Sequence, residues 1–463
     1  MQRRDFLRRS LGTASALGGL SAAKTALAAV PKRPKITKPV TIKFLPFWLM
    51  DNFAKKLAAE FTEQSPYISI EFPPPPSRDG FSNPVWDRAL LSAYQAGDPY
   101  DMTLTGPFYS MWATQMGCTI DPTPLFQRDF GKDYERQFQK LFVRWQGKMV
   151  GVPFKVGTEL FYYNANRLTD AGLEPPREGW AWDDFFKIAS KATKYGPDGQ
   201  AVHWGCSVYE GSLFREYIYE EGESLFTPDY RKATINTPTA LAAAMAVHDL
   251  IFKYHATGSH AQWRSATEEM ATSWNHAAFY AGKVALLLDG DLRIKHTYEE
   301  ADKTGFRVGV APPLRRKLAV VSASPTIFQI WKSANPDRVE AAWEFAKFWL
   351  TPANQARMLA ETGSAPIHKA AWDESPAKEC LRKWPGLSVF RKAYDHTVVG
   401  MGDLPTMTLE YRGIRPFIYR LILGQLTPAQ AIEGMQKRCQ EILDDFWAKA
   451  DKGVFEFYNE YHR

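Results

Sequence analysis

Cysteine is scarce in this sequence. Four cysteines occur in 463 residues, and they are Cys118, Cys206, Cys380 and Cys439. None of them has the C-x-x-C spacing that is typical of zinc or redox sites. Because four cysteines allow three complete disulfide pairings, disulfides stay open at this stage, and buried free thiols are the simpler interpretation. Cysteine therefore indicates neither a metal centre nor thiol chemistry.

Motifs for catalysis are also missing. The sequence contains no G-x-S-x-G elbow, no Walker-type phosphate loop and no H-E-x-x-H helix. His248, His255 and His260 do not have the spacing of metal ligands on one helix face. Adjacent acidic residues such as Asp183 and Asp184 rarely aim at one point, so we interpret them as a solvated helix start rather than a glycosidase pair. We predict no metal, no cofactor and no enzyme activity.

A basic excess is largely absent once the amino-terminal segment is set aside. The formal charge is +6, of which +4 lies in residues 1–28. No basic stripe is left that would favour nucleic acid as a partner. Aromatic residues, in contrast, make up 14% of the chain and include 15 Trp. Most of these rings are expected in a core, and some suit a site that binds flat sugar faces.

The first 28 residues predict an export signal rather than part of the fold. The stretch Gln2–Arg8 closely resembles a twin-arginine motif, and a weakly apolar stretch follows from Leu11 to Ala23. Lys24 precedes the small-residue cleavage signature Ala26–Ala28, and no Cys follows it. The apolar stretch is too short for a membrane anchor. We therefore expect a periplasmic protein that is exported by the twin-arginine route and is not lipidated.

The start of the mature chain predicts an α/β fold. Residues 41–47 read as a strand, Phe53, Leu57 and Phe61 mark one face of a helix, and residues 68–72 alternate like a second strand. Strand, helix, strand is the pattern of a parallel sheet. Open sheets of this kind bind ligands at the carboxyl ends of their strands, and Trp48 lies in that position.

The segment from Lys148 to Phe186 carries the most informative pattern. Its residues predict strand, link, strand, helix, turn and helix, an order found in many α/β domains. The succession of residue types resembles the extracellular solute-binding proteins of sugar-type ABC importers, the maltose-binding-like family. The stretches that carry this resemblance are Gly151-Val152-Pro153, Tyr163-Asn164, Ala171-Gly172, Pro175-Pro176 and Trp182-Asp183.

Three more stretches resemble this family in the same order along the chain. They are residues 278–290, 363–366 and 426–443. The resemblance implies an α/β, two-lobed periplasmic binding protein of type II, in which each lobe is a sheet flanked by helices. It implies three crossings between the lobes, near Pro153–Gly157, Ala311–Pro313 and Ser364–Pro366. The implied N-terminal lobe comprises residues 37–154 and 312–366, and the C-terminal lobe comprises residues 155–311 and 367–463.

The resemblance also implies a function. The protein would be the periplasmic substrate-binding component of an ABC transporter, capturing a sugar or polyol by lobe closure and delivering it to a permease in the inner membrane. A monomer without nucleic acid is expected. Two alternatives stay open. One is an exported carbohydrate-active enzyme, which the twin-arginine route favours, and the other is a same-fold binder of polyamine or another charged solute.

Eight residues are predicted to bind the ligand. They are Trp48, Thr105 and Phe108 on one lobe, with Lys155, Gly157, Asp291, Arg293 and Tyr411 on or near the other. Rings would cover apolar sugar faces, and charged groups would bind hydroxyls. The family often has an acidic residue at the position that matches Gly157, so this sequence departs from the pattern there. For Phe108 and Tyr411, packing within their own lobe is an interpretation that the sequence supports as well as ligand binding.

Overall fold

The computed structural model describes residues 36–46, 50–76, 84–258, 276–399 and 404–454, without the side chains of residues 84, 107–110 and 399. The predicted export signal, Trp48 and His260 lie outside these ranges.

The described chain contains the following strands in chain order: β1 (Val40–Leu45), β2 (Ile68–Glu71), β3 (Met102–Thr105), β4 (Arg144–Trp145), β5 (Lys148–Met149), β6 (Val152–Lys155), β7 (Glu159–Asn164), β8 (Lys194–Tyr195), β9 (Ala201–Ser207), β10 (Val284–Gly290), β11 (Val308–Val310), β12 (Val321–Ala323), β13 (Thr326–Ile330) and β14 (Thr397–Val399).

Its α-helices, in the same order, are α1 (Asp51–Gln64), α2 (Pro84–Gln95), α3 (Pro107–Gln115), α4 (Thr123–Phe130), α5 (Ala165–Asp170), α6 (Trp182–Ala192), α7 (Glu210–Glu220), α8 (Pro238–Phe252), α9 (His276–Tyr280), α10 (Ile294–Thr304), α11 (Pro336–Trp349), α12 (Pro352–Thr362), α13 (Ser375–Lys383), α14 (Leu387–Ala393), α15 (Arg415–Ile422) and α16 (Pro428–Ala450). A π-helical segment, Leu409–Ile414, leads into α15.

The first sheet has the strand order β2-β1-β3-β13-β6. β1 is parallel to both β2 and β3, as the sequence predicts, and β13 runs antiparallel between β3 and β6. The predicted inner face of α1 is confirmed, because Phe53, Leu57 and Phe61 are buried. Phe154 and Phe328 stack between β6 and β13 with ring centroids 4.3 Å apart. This sheet therefore joins strands that are far apart in the sequence.

The second sheet has the order β11-β7-β10-β9-β8. β10 is antiparallel to β7 and parallel to β9, and β11 is antiparallel to β7. Helices pack on it through a core in which Phe161 contacts Trp180 and Phe185. The predicted α/β architecture of two sheets flanked by helices is confirmed.

Helix starts follow the sequence signals. Thr237 and Thr427 each accept a hydrogen bond from a backbone amide of the first turn, and a proline follows each of them. A hydroxyl at this position satisfies an amide that has no partner inside the helix, and proline tolerates the first turn because it has no amide hydrogen. Local residue chemistry thus sets where α8 and α16 begin.

The terminal helix α16 contacts both halves of the molecule. Leu443 and Cys439 are buried in the core of the second sheet, whereas Phe446 packs with Trp145 beside the first sheet. Trp447 stacks on Trp145 with ring centroids 5.8 Å apart. All four cysteines are buried free thiols, which decides the question of disulfides that the sequence left open.

Candidate ligand-binding site at the junction of the sheets

Three chain segments run side by side where the two sheets meet. β6 of the first sheet ends at Lys155 and β7 of the second begins at Glu159, so only residues 156–158 separate them. Residues 322–324 lie on one side of this link and residues 364–366 on the other. We call residues 155–158, 322–324 and 364–366 the junction. Two predicted binding residues belong to it, Lys155 at the end of β6 and Gly157 in the link that follows.

Backbone hydrogen bonds hold the junction together. The Val156 amide donates to the Ala365 carbonyl at 3.1 Å. On the opposite side, the Ser324 amide donates to the Gly157 carbonyl at 2.7 Å. The Thr158 hydroxyl also donates to the carbonyl of residue 322 at 2.5 Å. The three segments therefore form a short ribbon, and few backbone torsions separate one sheet from the other.

The stretch where the second crossing is expected, Ala311–Pro313, lies beside the second sheet. The Ala311 amide donates to the Phe161 carbonyl at 2.7 Å, so the chain still follows β7 at this point. Trp180 Nε1 donates to the Pro312 carbonyl at 2.7 Å, which fixes the same stretch to the helices of the second sheet. Residues 322–324, about ten positions later, are the ones that reach the junction. The double proline thus ends β11 without changing sheets.

Gly157 has a structural reason for lacking a side chain. A Cβ atom at this position would overlap the carbonyl oxygen of Ser324 and would lie 3.9 Å from Lys155 Nζ. Real side-chain carbons do not approach a backbone oxygen that closely, so an acidic residue would push the two segments apart. The departure from the family pattern at this position is therefore tied to close backbone pairing. The sequence gives no signal for this contact.

Lys155 and Asp291, two of the predicted binding residues, are both buried. The Lys155 ammonium donates to the Val156 carbonyl at 3.4 Å, and Tyr394 donates its hydroxyl to Asp291 Oδ2 at 2.9 Å. Burial raises the pKa of Asp291 to about 6, and the positive charge of Lys155 opposes this rise. Burial also lowers the pKa of Lys155, against the influence of Asp291. The charge of each of these two predicted residues therefore acts on the pKa of the other.

Glu216 of α7 fastens the second segment of the junction. Its Oε1 accepts hydrogen bonds from the Ser322 amide at 2.9 Å and the Ser322 hydroxyl at 2.5 Å. Oε2 is buried and has no hydrogen-bond partner. Burial raises the pKa of Glu216 to about 7. A carboxyl group that changes its charge near neutral pH thus touches the segment that links the sheets.

A buried ion pair lies beside β7. Arg215 Nη1 donates to Glu410 Oε2 at 2.9 Å, and their side chains are 4% and 2% exposed. Glu159, at the first position of β7, is half-buried, and burial raises its pKa while Ser212 and Arg215 lower it. Because the side chains of Arg215 and Glu410 are so little exposed, each charge needs the other, since a single buried charge is costly. The pair joins α7 to the π-helical segment that carries Tyr411.

Tyr411 packs against an arginine. The guanidinium carbon of Arg415 lies 4.9 Å from the Tyr411 ring centroid and 5.4 Å from that of Tyr209. Arg415 also donates through Nε to the Tyr209 hydroxyl at 2.9 Å. Burial raises the pKa of Tyr209 to about 12, with Glu410 acting in the same direction. Tyr411 is half-buried, and its contact with Arg415 shows that a cation already borders its ring.

The remaining predicted residues are spread over other elements. Thr105 is buried at the carboxyl end of β3, where its hydroxyl donates to the Gly106 carbonyl at 3.2 Å. Phe108 is in the first turn of α3, but its side chain is not described. Arg293 ends the short 3-10 turn Asp291–Arg293 and is half-buried. Trp48 lies outside the described residues. Thr105 at the end of β3 and Lys155 at the end of β6 are the predicted residues that the structure places in the first sheet.

Several polar residues near the junction were missed by sequence reasoning. They are Glu159, Tyr209, Arg215, Glu216, Glu410 and Arg415. Most lie within helices or at element ends where charged residues are common, so position alone gives no signal. Glu410 and Arg415 lie close to Tyr411 in the sequence. Their closeness to a predicted binding residue is the one sequence signal that could have indicated them. Their burial becomes visible only when α7 and the π-helical segment pack together.

Neither a metal centre nor a membrane span is found in the described parts of the chain. Within those ranges, no group of three or more His, Cys, Asp or Glu side chains is arranged to hold a metal ion. The nearest arrangement is a pair, His276 Nδ1 and Asp289 Oδ2, 2.8 Å apart. No helix among the described residues is long and apolar enough to cross a bilayer. The polar side chains at the junction are therefore the groups from which we argue a binding site.

Comparison with known proteins identifies the family. The model of the bacterial extracellular solute-binding proteins matches residues 48–356, which is more than half of the chain. The chain belongs to this family. The resemblance drawn from short sequence stretches is thereby confirmed. Members of this solute-binding family and the similar structures below are binding proteins rather than enzymes, which agrees with the missing catalytic motifs.

Curated relatives of this solute-binding protein are distant. An sn-glycerol-3-phosphate-binding periplasmic protein UgpB of Brucella abortus is 22% identical over 251 residues, covering 52% of this chain and 54% of the relative. The chain thus spans about half the length of the first curated relatives that it matches. UgpB of Pectobacterium atrosepticum is also 22% identical, over 65% of this chain and 67% of its own. An uncharacterized lipoprotein of Streptomyces antibioticus is 26% identical over 36% of each chain.

Solved structures show the same two-lobed fold. An ABC substrate-binding protein of Listeria monocytogenes in complex with cycloalternan has a TM-score of 0.71 and 18% identity, covering 88% of this chain and all of the other. Maltose-bound MalE3 of T. maritima has a TM-score of 0.67 and 22% identity, covering 87% and 99%. UgpB of Mycobacterium tuberculosis in complex with glycerophosphocholine has a TM-score of 0.69 and 18% identity, covering 88% and 99%. At such identities the likeness establishes the fold.

Proposed function

We propose that this protein is the periplasmic solute-binding component of an ABC importer, which captures a sugar or polyol between two lobes and delivers it to a membrane permease. The observation that carries this proposal is the junction, where three short segments join two separate five-stranded sheets. Such a connection allows hinge closure, because a few backbone torsions can absorb the whole movement. Ligand favours closure only through its greater affinity for the closed form.

The lobes that this proposal requires follow the two sheets. One lobe contains the first sheet and the other contains the second, with the chain passing between them at residues 156–158, 322–324 and 364–366. We therefore revise the second boundary from residues 311–313 to residues 322–324. Terminal helix α16 bridges the lobes through Phe446 and Trp447, so closure must accommodate its contact with Trp145.

The charges near the junction favour a neutral, polyhydroxylated ligand. Basic groups of Lys155 and Arg415 lie near the acidic groups of Asp291 and Glu410. A mixture of donors and acceptors suits hydroxyl groups, which both donate and accept. A polyamine would require carboxylates without matching cations, whereas Lys155, Arg215 and Arg415 accompany the carboxylates near the junction. An exported carbohydrate-active enzyme would need an acid and a base placed on either side of a glycosidic bond. We identify no such pair among the described residues.

A second candidate ligand is a phosphorylated polyol. Relatives named for sn-glycerol 3-phosphate motivate it, and Arg415 supports it. The hydrogen bonds described for Arg415 run to the neutral Tyr209 hydroxyl, so its charge is not matched by a direct carboxylate contact. A phosphate near Arg415 would supply that match. The same fold and the same hinge serve either ligand.

A ligand screen tests the function directly. Mature protein is screened by thermal shift against maltose, glycerol, sn-glycerol 3-phosphate, glycerophosphocholine, spermidine and amino acids. Compounds that raise the melting temperature are then titrated by calorimetry. We expect a sugar or polyol to bind and to shift the melting temperature in proportion to the logarithm of its concentration. Binding of spermidine alone, or turnover of a glycan with no stable complex, would contradict the proposal.

The cellular context forms part of the proposal. Export by the twin-arginine route, release without a lipid anchor, a monomeric state and a permease partner are all predicted from the sequence and the family. Fractionation of cells and size-exclusion chromatography with light scattering test the first three. Transport assays in a strain that lacks the gene test the last, and normal uptake of the identified ligand by that strain would contradict it.

A further inference from the structure

The buried face of α16 changes its partner near the carboxyl end of the helix. Ile442 and Leu443 belong to the hydrophobic core of the second sheet. Phe446, less than one turn later and 6% exposed, belongs instead to a separate cluster beside the first sheet. Trp447 borders both clusters. One helix therefore carries apolar contacts from one proposed lobe into the other.

We call the first-lobe residues that cluster with Phe446 the socket. They are all buried and comprise Met111, Val143, Trp145, Val150 and Ile327. The Phe446 ring meets the Trp145 ring edge-on, with centroids 6.1 Å apart. Trp447 stacks on the same Trp145 ring, with an angle of 17° between the ring planes. Withdrawing Phe446 would expose apolar surface on both sides of the contact, and such exposure is costly.

Polar side chains fasten α16 to the second lobe. Gln436 Oε1 accepts a hydrogen bond from the Ile235 amide at 2.7 Å, in the loop that precedes α8. Trp447 Nε1 donates to the Tyr230 carbonyl of the same loop at 2.6 Å. Because these bonds span the last four turns of the helix, α16 moves with the second lobe. Phe446 is therefore a side chain of the second lobe that is inserted into the first.

The socket lies beside the junction. Ile327 comes three residues after Ser324, the last residue of the second junction segment. At about 3.3 Å per residue in a strand, this separation is about 10 Å. Ile327 also pairs with Pro153 in β6, two residues before Lys155. The contact of Phe446 is therefore placed next to the proposed hinge and not at a far end of the lobe.

We propose that Phe446 and its socket form a pivot for lobe closure, a non-covalent contact that is kept in both the open and the closed form. The inference rests on the proposed function, because only a protein whose lobes close needs a pivot. Three short chain segments alone allow the lobes both to bend and to twist. Two fixed points, the junction and the socket, leave one rotation, which is about the line that joins them. The pivot thus selects a single closing movement.

A restricted movement lowers the entropic cost of closure. Without the pivot, the open form samples more orientations of the lobes, and ligand binding has to remove all of them. Truncating Phe446 should therefore weaken ligand binding even though no predicted binding residue is changed. A latch that holds the open form would have the opposite effect, because removing it would make closure easier and binding tighter. The sign of the change in affinity separates the two devices.

Distances between the lobes, measured by pulsed electron spin resonance, test the pivot without any ligand. Spin labels are attached to the mature protein through Ala59→Cys on α1 and Lys187→Cys on α6, since both positions are exposed and the native cysteines are buried. Phe446→Ala should broaden the distribution of distances about twofold. Ile442→Ala truncates the same helix inside the second-lobe core, so it is the matched control and should keep the parent width. An unchanged width in folded Phe446→Ala overturns the inference.

Calorimetry tests the consequence for binding, with whichever of maltose, glycerol and sn-glycerol 3-phosphate binds the parent protein. Phe446→Ala should bind about three- to tenfold more weakly. Lys295→Met removes an exposed hydrogen bond between the lobes, 3.0 Å long, to the Glu361 carbonyl, and should keep the parent affinity. Tighter binding by Phe446→Ala overturns the pivot in favour of a latch. A parent protein that binds none of the three probes counts against the proposed function instead, and the spin-label widths still judge the pivot.

Melting curves show whether each variant is folded, and Phe446→Leu replaces Phe446→Ala if the latter does not fold, with changes expected in the same directions. Crystal structures of the parent protein with and without the bound probe test the geometry. We expect Phe446 to contact Ile327 and Trp145 in both. A form in which Phe446 has left the socket overturns the inference.

Discussion

Gly157 faces Ser324 so closely that any side-chain carbon at position 157 would overlap the Ser324 carbonyl oxygen. The same two residues share a backbone hydrogen bond of 2.7 Å. This contact joins two of the three segments that link the sheets, so the junction depends on a glycine at this position. The absence of a side chain is here a requirement of packing rather than of backbone torsion.

Replacing Gly157 by Ala should therefore weaken the junction. We expect the free energy of unfolding to fall by about 1–3 kcal/mol, as for overpacking in a tight site. Urea denaturation monitored by tryptophan fluorescence measures it. Gly290→Ala is the matched control, because a Cβ there meets only the Thr158 carbonyl oxygen at 3.9 Å. Equal losses in both variants would show that close contact with Ser324 is not the cause.

Glu216 should make stability depend on pH. Its folded pKa is raised to about 7 by burial, so the folded protein holds this proton more tightly than the unfolded chain does. The stabilisation is present in full below the unfolded pKa and is lost as pH rises through about 7. Between about pH 5 and pH 8, the parent should lose on the order of 3 kcal/mol relative to Glu216→Gln, which cannot titrate.

Denaturation at a series of pH values measures this difference. The charges of Glu159 and Arg215 influence the pKa of Glu216, and Glu216 in turn influences the pKa of Glu220. The test is therefore the difference between parent and variant at each pH, not the pH dependence of the parent alone. Glu174→Gln, with an 83% exposed side chain, is the control and should follow the parent. A Glu216→Gln curve parallel to that of the parent would contradict the assignment.

Breaking the buried pair of Arg215 and Glu410 should cost far more than breaking a surface pair. Arg215→Met leaves Glu410 buried without its cation, and we expect a loss of about 3–5 kcal/mol in the free energy of unfolding. Lys55→Met removes an exposed pair with Asp51 and should cost no more than about 1 kcal/mol. Chemical denaturation of both variants gives the comparison. Similar small losses would mean that the buried pair is not the link between α7 and the π-helical segment.

Trp48 and Tyr411 carry the prediction that two rings cover sugar faces from opposite lobes. Losing either ring should remove about 1–3 kcal/mol of binding free energy, a ten- to hundredfold loss in affinity. Calorimetry on Trp48→Ala and Tyr411→Ala measures it. If Tyr411 instead serves packing, as its contact with Arg415 also allows, Tyr411→Ala lowers the melting temperature without ligand and keeps its affinity. Two well-folded variants with parent affinity would end the stacking hypothesis.

Export can be tested with a change that keeps the charge. Replacing Arg3 and Arg4 by Lys should abolish accumulation in the periplasm, since the twin-arginine pathway reads the guanidinium pair. Immunoblots of periplasmic and cytoplasmic fractions measure it. Normal processing of the double variant would contradict the assignment to this pathway, and a charge-preserving change at Arg8 and Arg9 is the control.

Sequence patterns predicted several elements of the fold and the family. Periodic burial at Phe53, Leu57 and Phe61, and the hydroxyl-proline pairs at Thr237 and Thr427, depend on contacts within one element. Such local rules act over a few residues, so they can be read directly from the printed chain. The short stretches from Gly151 to Asp183 placed the chain in its family, which the family match over residues 48–356 confirms.

The junction, in contrast, depends on contacts between segments that are distant in the sequence. The overlap of a Cβ at Gly157 with Ser324 and the bond from Ser322 to Glu216 both join residues more than one hundred positions apart. Burial of Arg215 and Glu410 likewise arises when two distant helical segments pack together. Desolvation and close contact depend on what surrounds a side chain, not on its neighbours in sequence, so residue type alone could not assign these groups.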